Sequence, residues 1–339
     1  MNLLILGGTK FLGLHLVKEA LNRGHEVTIF TRGSVDSSLL PAQVEKLIGD
    51  REGNLSALEG RKWDAVIDTS GYVPRIVKDS AQLLSKTCDT YAFVSSISVY
   101  KDFSKQIDEN SEVGELEDIS IEEVNGETYG PLKALSENEV RNAFPEGALI
   151  IRPGLIVGPN DYTDRFTYWP VRIALGGDVV VPGNSDAAVQ FIDVRDLATF
   201  ILKVIEEKKI GTYNVTGPKE TLPFKDFVEV CKEATQSDAE FTWVEDEFLL
   251  EQNVGFWVEL PLYIPAKENM QGFLTVSIDK ALSNGLSFRP LSETVLDTLN
   301  WDNTRQMKQE DRKAGIDPLK EVSVLKKWNK RKDVGQQQD

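Results

Sequence analysis

The stretch Asn2-Leu3-Leu4-Ile5-Leu6-Gly7-Gly8-Thr9-Lys10-Phe11-Leu12-Gly13 decides the fold. The apolar run from Leu3 to Leu6 reads as a strand buried on both faces. A glycine-rich turn follows. Residues 11–23 then place Leu12, Leu16 and Ala20 on one helical face, and Gly24 stops the helix. A strand, a glycine turn and a helix in this order bring backbone N–H groups and a positive dipole end to one point. A dinucleotide's pyrophosphate binds at such a point. Gly7 supplies the tight turn and Gly13 lets the helix lie close to the sheet. Lys10 stands where the usual middle glycine would be, and its cation offsets the lost backbone approach. The expected cradle is therefore Gly7, Thr9, Lys10, Phe11, Leu12 and Gly13.

Further apolar runs at 27–30, 44–48, 65–68, 91–95, 149–152 and 212–215 read as strands. Helical patterns fall at 76–85, 129–142 and 193–207. This alternation predicts an α/β fold with a doubly wound parallel sheet of Rossmann type. After Gly158 the alternation breaks into aromatic and glycine-rich loops. From Pro218 the chain is mixed, with Trp243, Phe256, Trp257 and Tyr263 as apolar bulk. A smaller mixed α/β C-terminal substrate lobe is expected there. The reading gives 1–158 and 189–215 to the dinucleotide-binding domain. It gives 159–188 and 216–325 to the substrate lobe, and 326–339 to a polar tail, either a solvated final helix with a frayed Gln-rich end or a basic segment that binds an anion.

Composition narrows the chemistry. The chain has 339 residues, a net charge of −16, two cysteines (Cys88, Cys231) and two histidines (His15, His25). So few Cys and His argue against a disulfide framework, a zinc site or a His-based triad, and no metal is expected. An acidic body repels a phosphate backbone, so nucleic acid is not an expected partner, despite a local basic excess in residues 301–339. No apolar run is long enough to span a membrane, and the first residues lack a basic leader, so the expected location is the cytoplasm. A small-molecule substrate and a monomer or homodimer complete the expectation.

The end of the second strand bears on the cofactor. A carboxylate there holds the ribose hydroxyls of NAD. This chain has Thr31-Arg32-Gly33 instead, and an arginine suits a 2′-phosphate. NADP is therefore preferred, with NAD possible. Asp50 after the third strand either meets the adenine amino group or is a helix cap or part of a solvated loop. Tyr129 and Lys133 stand at i, i+4 near the start of a helix, and an ammonium beside a phenol favours phenolate. Pro131 fits that first turn. Upstream, Ser95-Ser96-Ile97-Ser98-Val99-Tyr100 places hydroxyls at the carboxyl edge of the sheet, where open α/β sheets bind ligands.

With these elements in this order, the sequence resembles the extended short-chain dehydrogenase/reductases, the NAD(P)-dependent epimerase/dehydratase group, over roughly residues 1–300. The likeness rests on residues 7–13, 95–100, Tyr129 with Lys133, Arg152-Pro153-Gly154 with Gly158-Pro159, and 193–198. The turn Gly-Gly followed by four variable residues and Gly is similar to an atypical subgroup. Its members carry labels such as isoflavone reductase, sugar epimerase and plastid mRNA-binding protein. The resemblance implies an oxidoreductase with Tyr129 as general acid/base and Lys133 on the nicotinamide ribose. It implies that Ser96 holds the reacting oxygen, that Ser98 touches substrate, that Ser70 and Gly71 lie beside the cofactor ribose, and that Pro153 to Ile156 line the nicotinamide.

The chain also departs from the family. The helix asparagine of many relatives falls near Ile76. Residues 187–191 lack the arginine with which relatives clamp a nucleotide sugar, leaving Gln190 as the polar group. Arg165, Arg172 and Arg195 are the candidate replacements, with Arg172 expected to face substrate and Arg195 expected in an ion pair. Residues 101–128 hold ten acidic side chains and two lysines, either a lid that disfavours anionic substrates or a solvated excursion.

Overall fold

Leu3, Leu4, Ile5 and Leu6 are fully buried, and their strand β1 (Asn2–Leu6) is an inner strand of a seven-stranded sheet. This computed structural model describes residues 1–34 and 39–336, with residues 333–336 described through the backbone alone. The other strands are β2 (Glu26–Thr31), β3 (Glu45–Ile48), β4 (Ala65–Asp68), β5 (Thr90–Val94), β6 (Ala148–Pro153) and β7 (Gly211–Val215). Their order is β7-β6-β5-β4-β1-β2-β3 and every pairing is parallel. The chain leaves β1 toward one edge and returns at β4 to build toward the other. That reversal is the switch point where such sheets bind ligands.

Helices cover both faces. On one face, α1 (Phe11–Asn22) and α4 (Val194–Glu206) pack together over Leu3, Ile5, Ile29 and Ile151. On the other, α2 (Pro74–Leu84) and α3 (Tyr129–Ala143) cover Leu4, Leu6, Val66 and Phe93. Successive strand residues point to opposite faces, so an unbroken apolar run serves both layers. Helix α1 ends as its sequence indicates, with Gly24 at φ +79°.

The chain divides into two compact units. The first comprises Met1–Ile156, Ile192–Lys219 and Val276–Phe288, and the second Val157–Phe191, Glu220–Thr275 and Arg289–Asp339. Residues 276–288, expected in the substrate lobe, cluster with the sheet. Asn214 Nδ2 donates to the Ser277 carbonyl at 3.3 Å, and Ile278, Ala281 and Leu286 join the core beneath α4.

The second unit is mixed α/β. A parallel strand pair (Asp178–Pro182 with Glu240–Val244) and an antiparallel one (Ala188–Val189 with Leu222–Pro223) accompany the helices Tyr168–Ala174, Phe224–Thr235, Leu291–Arg305 and Pro318–Gln336. The expected polar tail is in large part the last of these helices. Val324, Leu325 and Trp328 are buried, and the Trp328 ring lies 4.9 Å from that of Phe248. Gln337, Gln338 and Asp339 lie outside the described residues.

Candidate active site

The glycine turn is shaped by contact. Gly7 and Gly8 have φ of +110° and +92°, and the Gly7 N–H donates to the Phe30 carbonyl at 3.0 Å. A Cβ on Gly13 would lie 2.6 Å from the Gly8 nitrogen, so the first turn of α1 is pressed onto the loop. The Lys10 side chain makes no capping bond to α1, and no acidic residue stands in the first turn. Uncapped N–H groups at a dipole's positive end fit a pyrophosphate. At the end of β2, Arg32 is exposed and Thr31 half-buried. Asp50 closes a tight turn, its Oδ1 accepting the Glu52 N–H at 3.0 Å.

The serines and the tyrosine helix meet at the carboxyl ends of β4 and β5. Ser96 Oγ accepts the Ser98 N–H at 3.1 Å and donates to Ser98 Oγ at 3.1 Å. Gly130 in the first turn of α3 leaves no room for a side chain against the Ser98 carbonyl. That approach sets Tyr129 beside the serine segment. Tyr129 is half-buried, and its ring centroid lies 6.4 Å from that of Tyr72. Lys133 is buried and donates to the carbonyls of Gly71 (2.7 Å) and Val94 (2.6 Å). Its ammonium also stands 4.3 Å from the Phe93 ring and 5.3 Å from the Tyr72 ring. Burial pulls its pKa down to about 8, against the opposing charges of Asp68 and Glu137.

Two polar networks frame this lysine. In one, buried Glu137 accepts Ser95 Oγ (2.6 Å) and both faces of the Arg152 fork (2.9 and 2.7 Å), with Arg141 at 3.0 Å. Burial alone would raise the Glu137 carboxyl, but Arg152 outweighs it and holds the carboxyl below the ordinary range. Arg152 also donates to the Tyr100 hydroxyl, which donates to Asn214 Oδ1 at 2.6 Å. This network ties α3 to the serine strand. In the other, Asp68 accepts Arg51 Nη1 (2.7 Å), the Tyr91 hydroxyl (2.9 Å) and the Ser70 N–H (3.0 Å).

The sequence reading gave no role to Arg51, Asp68, Tyr72, Tyr91 or Glu137. Two signals were available. Glu137 continues the i, i+4 row of Tyr129 and Lys133 onto the same inward face. Asp68 is an acid ending an otherwise apolar strand.

Ser70, Gly71, Ser96, Ser98, Tyr129, Lys133, Pro153 and Ile156 all belong to the first unit, as does the glycine turn. Gln190, buried, and Arg172 belong to the second. Arg172, expected to face substrate, is held by protein partners. Its Nε pairs with Glu321 at 2.7 Å, and its other nitrogens donate to the Gly176 and Asp178 carbonyls, so its whole fork is engaged. Arg195 pairs with Asp193 at 2.7 Å, as expected. Among the described residues no group of three His, Cys, Asp or Glu side chains could hold a metal ion. No described helix is long and apolar enough to cross a membrane.

The profile of the NAD dependent epimerase/dehydratase family matches residues 3–216. Among curated proteins, the chloroplast stem-loop binding protein of 41 kDa b from Arabidopsis thaliana is 28% identical over 249 residues. That stretch is 68% of this chain and spans 62% of the relative's length. The epimerase family protein SDR39U1 of Bos taurus is 24% identical over 236 residues, 64% of this chain and 75% of that protein. Among solved structures, UDP-glucuronic acid 4-epimerase from Bacillus cereus, in complex with NAD, superposes with a TM-score of 0.65 at 17% identity. The match covers 91% of this chain and 100% of that one, a likeness of fold.

Proposed function

The chain belongs to the NAD dependent epimerase/dehydratase family, and from that premise we propose that it is an NAD(P)-dependent oxidoreductase acting on a small carbonyl or hydroxyl substrate. One observation carries the reading: Ser96, Ser98, Tyr129 and Lys133 come together at the carboxyl ends of β4 and β5, on the same sheet edge as the uncapped glycine turn. The nicotinamide, when bound, supplies or accepts the hydride. Tyr129 moves the proton. In reduction its hydroxyl gives a proton to the substrate oxygen, and in oxidation its phenolate takes one. Ser96, its hydroxyl turning from Ser98 Oγ to the substrate, donates a hydrogen bond that orients that oxygen, and Ser98 holds the substrate beside it. Lys133 has two of its three N–H donors on the Gly71 and Val94 carbonyls, and the third serves the ribose hydroxyls. Its positive charge also favours phenolate at Tyr129.

Arg32 and Lys10, both exposed, favour the 2′-phosphate, so NADP is the preferred cofactor. Substrate is expected to be neutral rather than a nucleotide-diphosphate sugar. Residues 187–191 lack a cation, and Arg172 is engaged elsewhere. Calorimetry tests the cofactor reading. NADPH should bind more tightly than NADH, and Arg32→Ala should remove a preference of about tenfold to a hundredfold. Tighter NADH binding by the unmodified protein would overturn it. A carbonyl panel followed by loss of NADPH absorbance tests the activity, and a protein that binds NADPH but consumes none with any member contradicts it.

A further inference from the structure

The network around Asp68 has no place in the proton and hydride chemistry above, yet it reaches Lys133 by two routes. Asp68 is fully buried at the end of β4. Its Oδ1 accepts the Ser70 N–H, and Ser70 Oγ and Thr69 Oγ1 donate to the Leu6 carbonyl at 3.3 and 3.0 Å. The turn from Thr69 to Tyr72 is thereby fixed, and it delivers the Gly71 carbonyl to the Lys133 ammonium at 2.7 Å. The carboxylate itself lies against the same glycine. A Cβ on Gly71 would come within 2.9 Å of Asp68 Oδ2 and 2.5 Å of the Phe93 ring. Arg51 closes the cluster from behind. It gives Nη1 to Asp68 and Nη2 to Ser80 Oγ at 2.7 Å, and Ser80 in turn bonds the Ile76 carbonyl of α2.

We propose that Asp68 is a positioning residue for Lys133, holding the ammonium in place through the Gly71 carbonyl and by its own negative charge, with Arg51 as the opposing charge that limits its pull. This inference rests on the role given to Lys133 above and deepens it. The groups that face Lys133 are Asp68 from β4, Arg51 from the segment after β3, Tyr72 from the fixed turn, and Glu137 from α3. Phe93 and the Val94 carbonyl face it from β5. Both carboxylates are paired, Glu137 to Arg152 and Asp68 to Arg51, and Asp68 exerts the larger pull on the ammonium. Burial and Asp68 together raise the Tyr72 phenol, which keeps that ring a neutral neighbour of the ammonium.

The test reads Lys133 directly. Lysine carrying ¹³C at Cε is incorporated, the Lys133 resonance is assigned by its loss in Lys133→Arg, and its titration midpoint is followed by NMR without cofactor or substrate. The wild-type midpoint is expected near 8. Asp68→Asn should lower it by roughly one pH unit, a tenfold loss in proton affinity, and Arg51→Gln should raise it by less. Tyr91→Phe keeps both charges but frees one carboxylate oxygen, so it should raise the midpoint slightly. Phe144→Leu loosens the packing on Tyr91 (ring centroids 5.2 Å apart) without touching Asp68, and should move nothing. If one charge variant fails to fold, the sign of the other and of Tyr91→Phe decides. Shifts of the same sign in both charge variants, or an unmoved midpoint, would overturn the proposal. NADPH affinity measured against pH should follow each midpoint. Absence of NADPH binding in the wild type would sink the oxidoreductase reading while leaving the NMR result to stand or fall alone.

Discussion

The first unit buries Leu3, Leu4, Ile5 and Leu6 between two helix layers, whereas the second buries Phe166, Trp169, Phe224 and Phe227 against one another. Edge-on ring contacts of 5.1 Å (Trp169 with Phe224) and 5.0 Å (Phe166 with Phe191) hold that aromatic cluster together, and Trp169 Nε1 donates to the Pro261 carbonyl at 2.8 Å. The difference concerns where specificity lies. Aliphatic strands in a parallel sheet are alike in shape, and the first unit adds specific ion pairs between its elements, Arg51–Asp68 from the segment after β3 to β4 and Arg152–Glu137 from β6 to α3. The aromatic unit sets its geometry with ring shape itself.

Deleting the largest ring should produce the largest loss. Trp169→Ala removes the centre of the second unit's core and should cost about 3–5 kcal/mol. Each unit contains one buried cysteine, Cys88 in the first and Cys231 in the second, so thiol labelling resolved by mass spectrometry reports on them separately. Trp169→Ala should speed labelling of Cys231 by about a hundredfold or more and of Cys88 far less. Equal acceleration at both would erase the contrast.

A smaller loss, about 3 kcal/mol, is expected from Glu137→Gln, which leaves the buried Arg152 without its countercharge. This change should expose Cys88 preferentially. It carries a pH signature as well. Because Glu137 titrates below its ordinary range in the fold, its contribution is complete above that range and is lost as pH falls through the lowered value. Denaturant melts of the wild type should therefore weaken in acid more steeply than those of Glu137→Gln. Parallel acid profiles would show that the pair does not set the first unit's stability. Least costly should be Ile5→Val in the central strand, about 0.5–1.5 kcal/mol, because one methyl lost from an aliphatic layer leaves a small void. A loss as large as that of Trp169→Ala would mean that the sheet is packed as specifically as the ring cluster.

The same contrast governs what was legible in the sequence. Runs such as 3–6 and 65–68 and the glycine stop at Gly24 are local patterns, so the parallel sheet and its helices could be read directly. The placement of Ser96, Tyr129 and Lys133 near the carboxyl edge of the sheet was legible because each falls near the end of an element whose direction the alternation dictates. Arg51 and Asp68 lie 17 positions apart and Arg152 and Glu137 lie 15 apart, and only the strand order brings each pair together. The ion pair of Arg172 was hidden for the same reason, since its partner Glu321 lies 149 positions away. Residues 276–288 contain no periodic run long enough to reveal that they return to the first unit. In the second unit Phe224, Phe227, Val228 and Cys231 do recur at helical spacing, but the pairing of Asp178–Pro182 with Glu240–Val244 joins strands about 60 positions apart, which no local pattern marks.

Tyr129→Phe tests the central claim most directly, because the ring stays beside Tyr72 while the proton carrier is removed. Turnover of NADPH with an active carbonyl substrate, measured beside NADPH affinity by calorimetry, should fall by about 10²–10⁴-fold with the affinity essentially unchanged. Full turnover in Tyr129→Phe would contradict the assignment of Tyr129 as the acid/base.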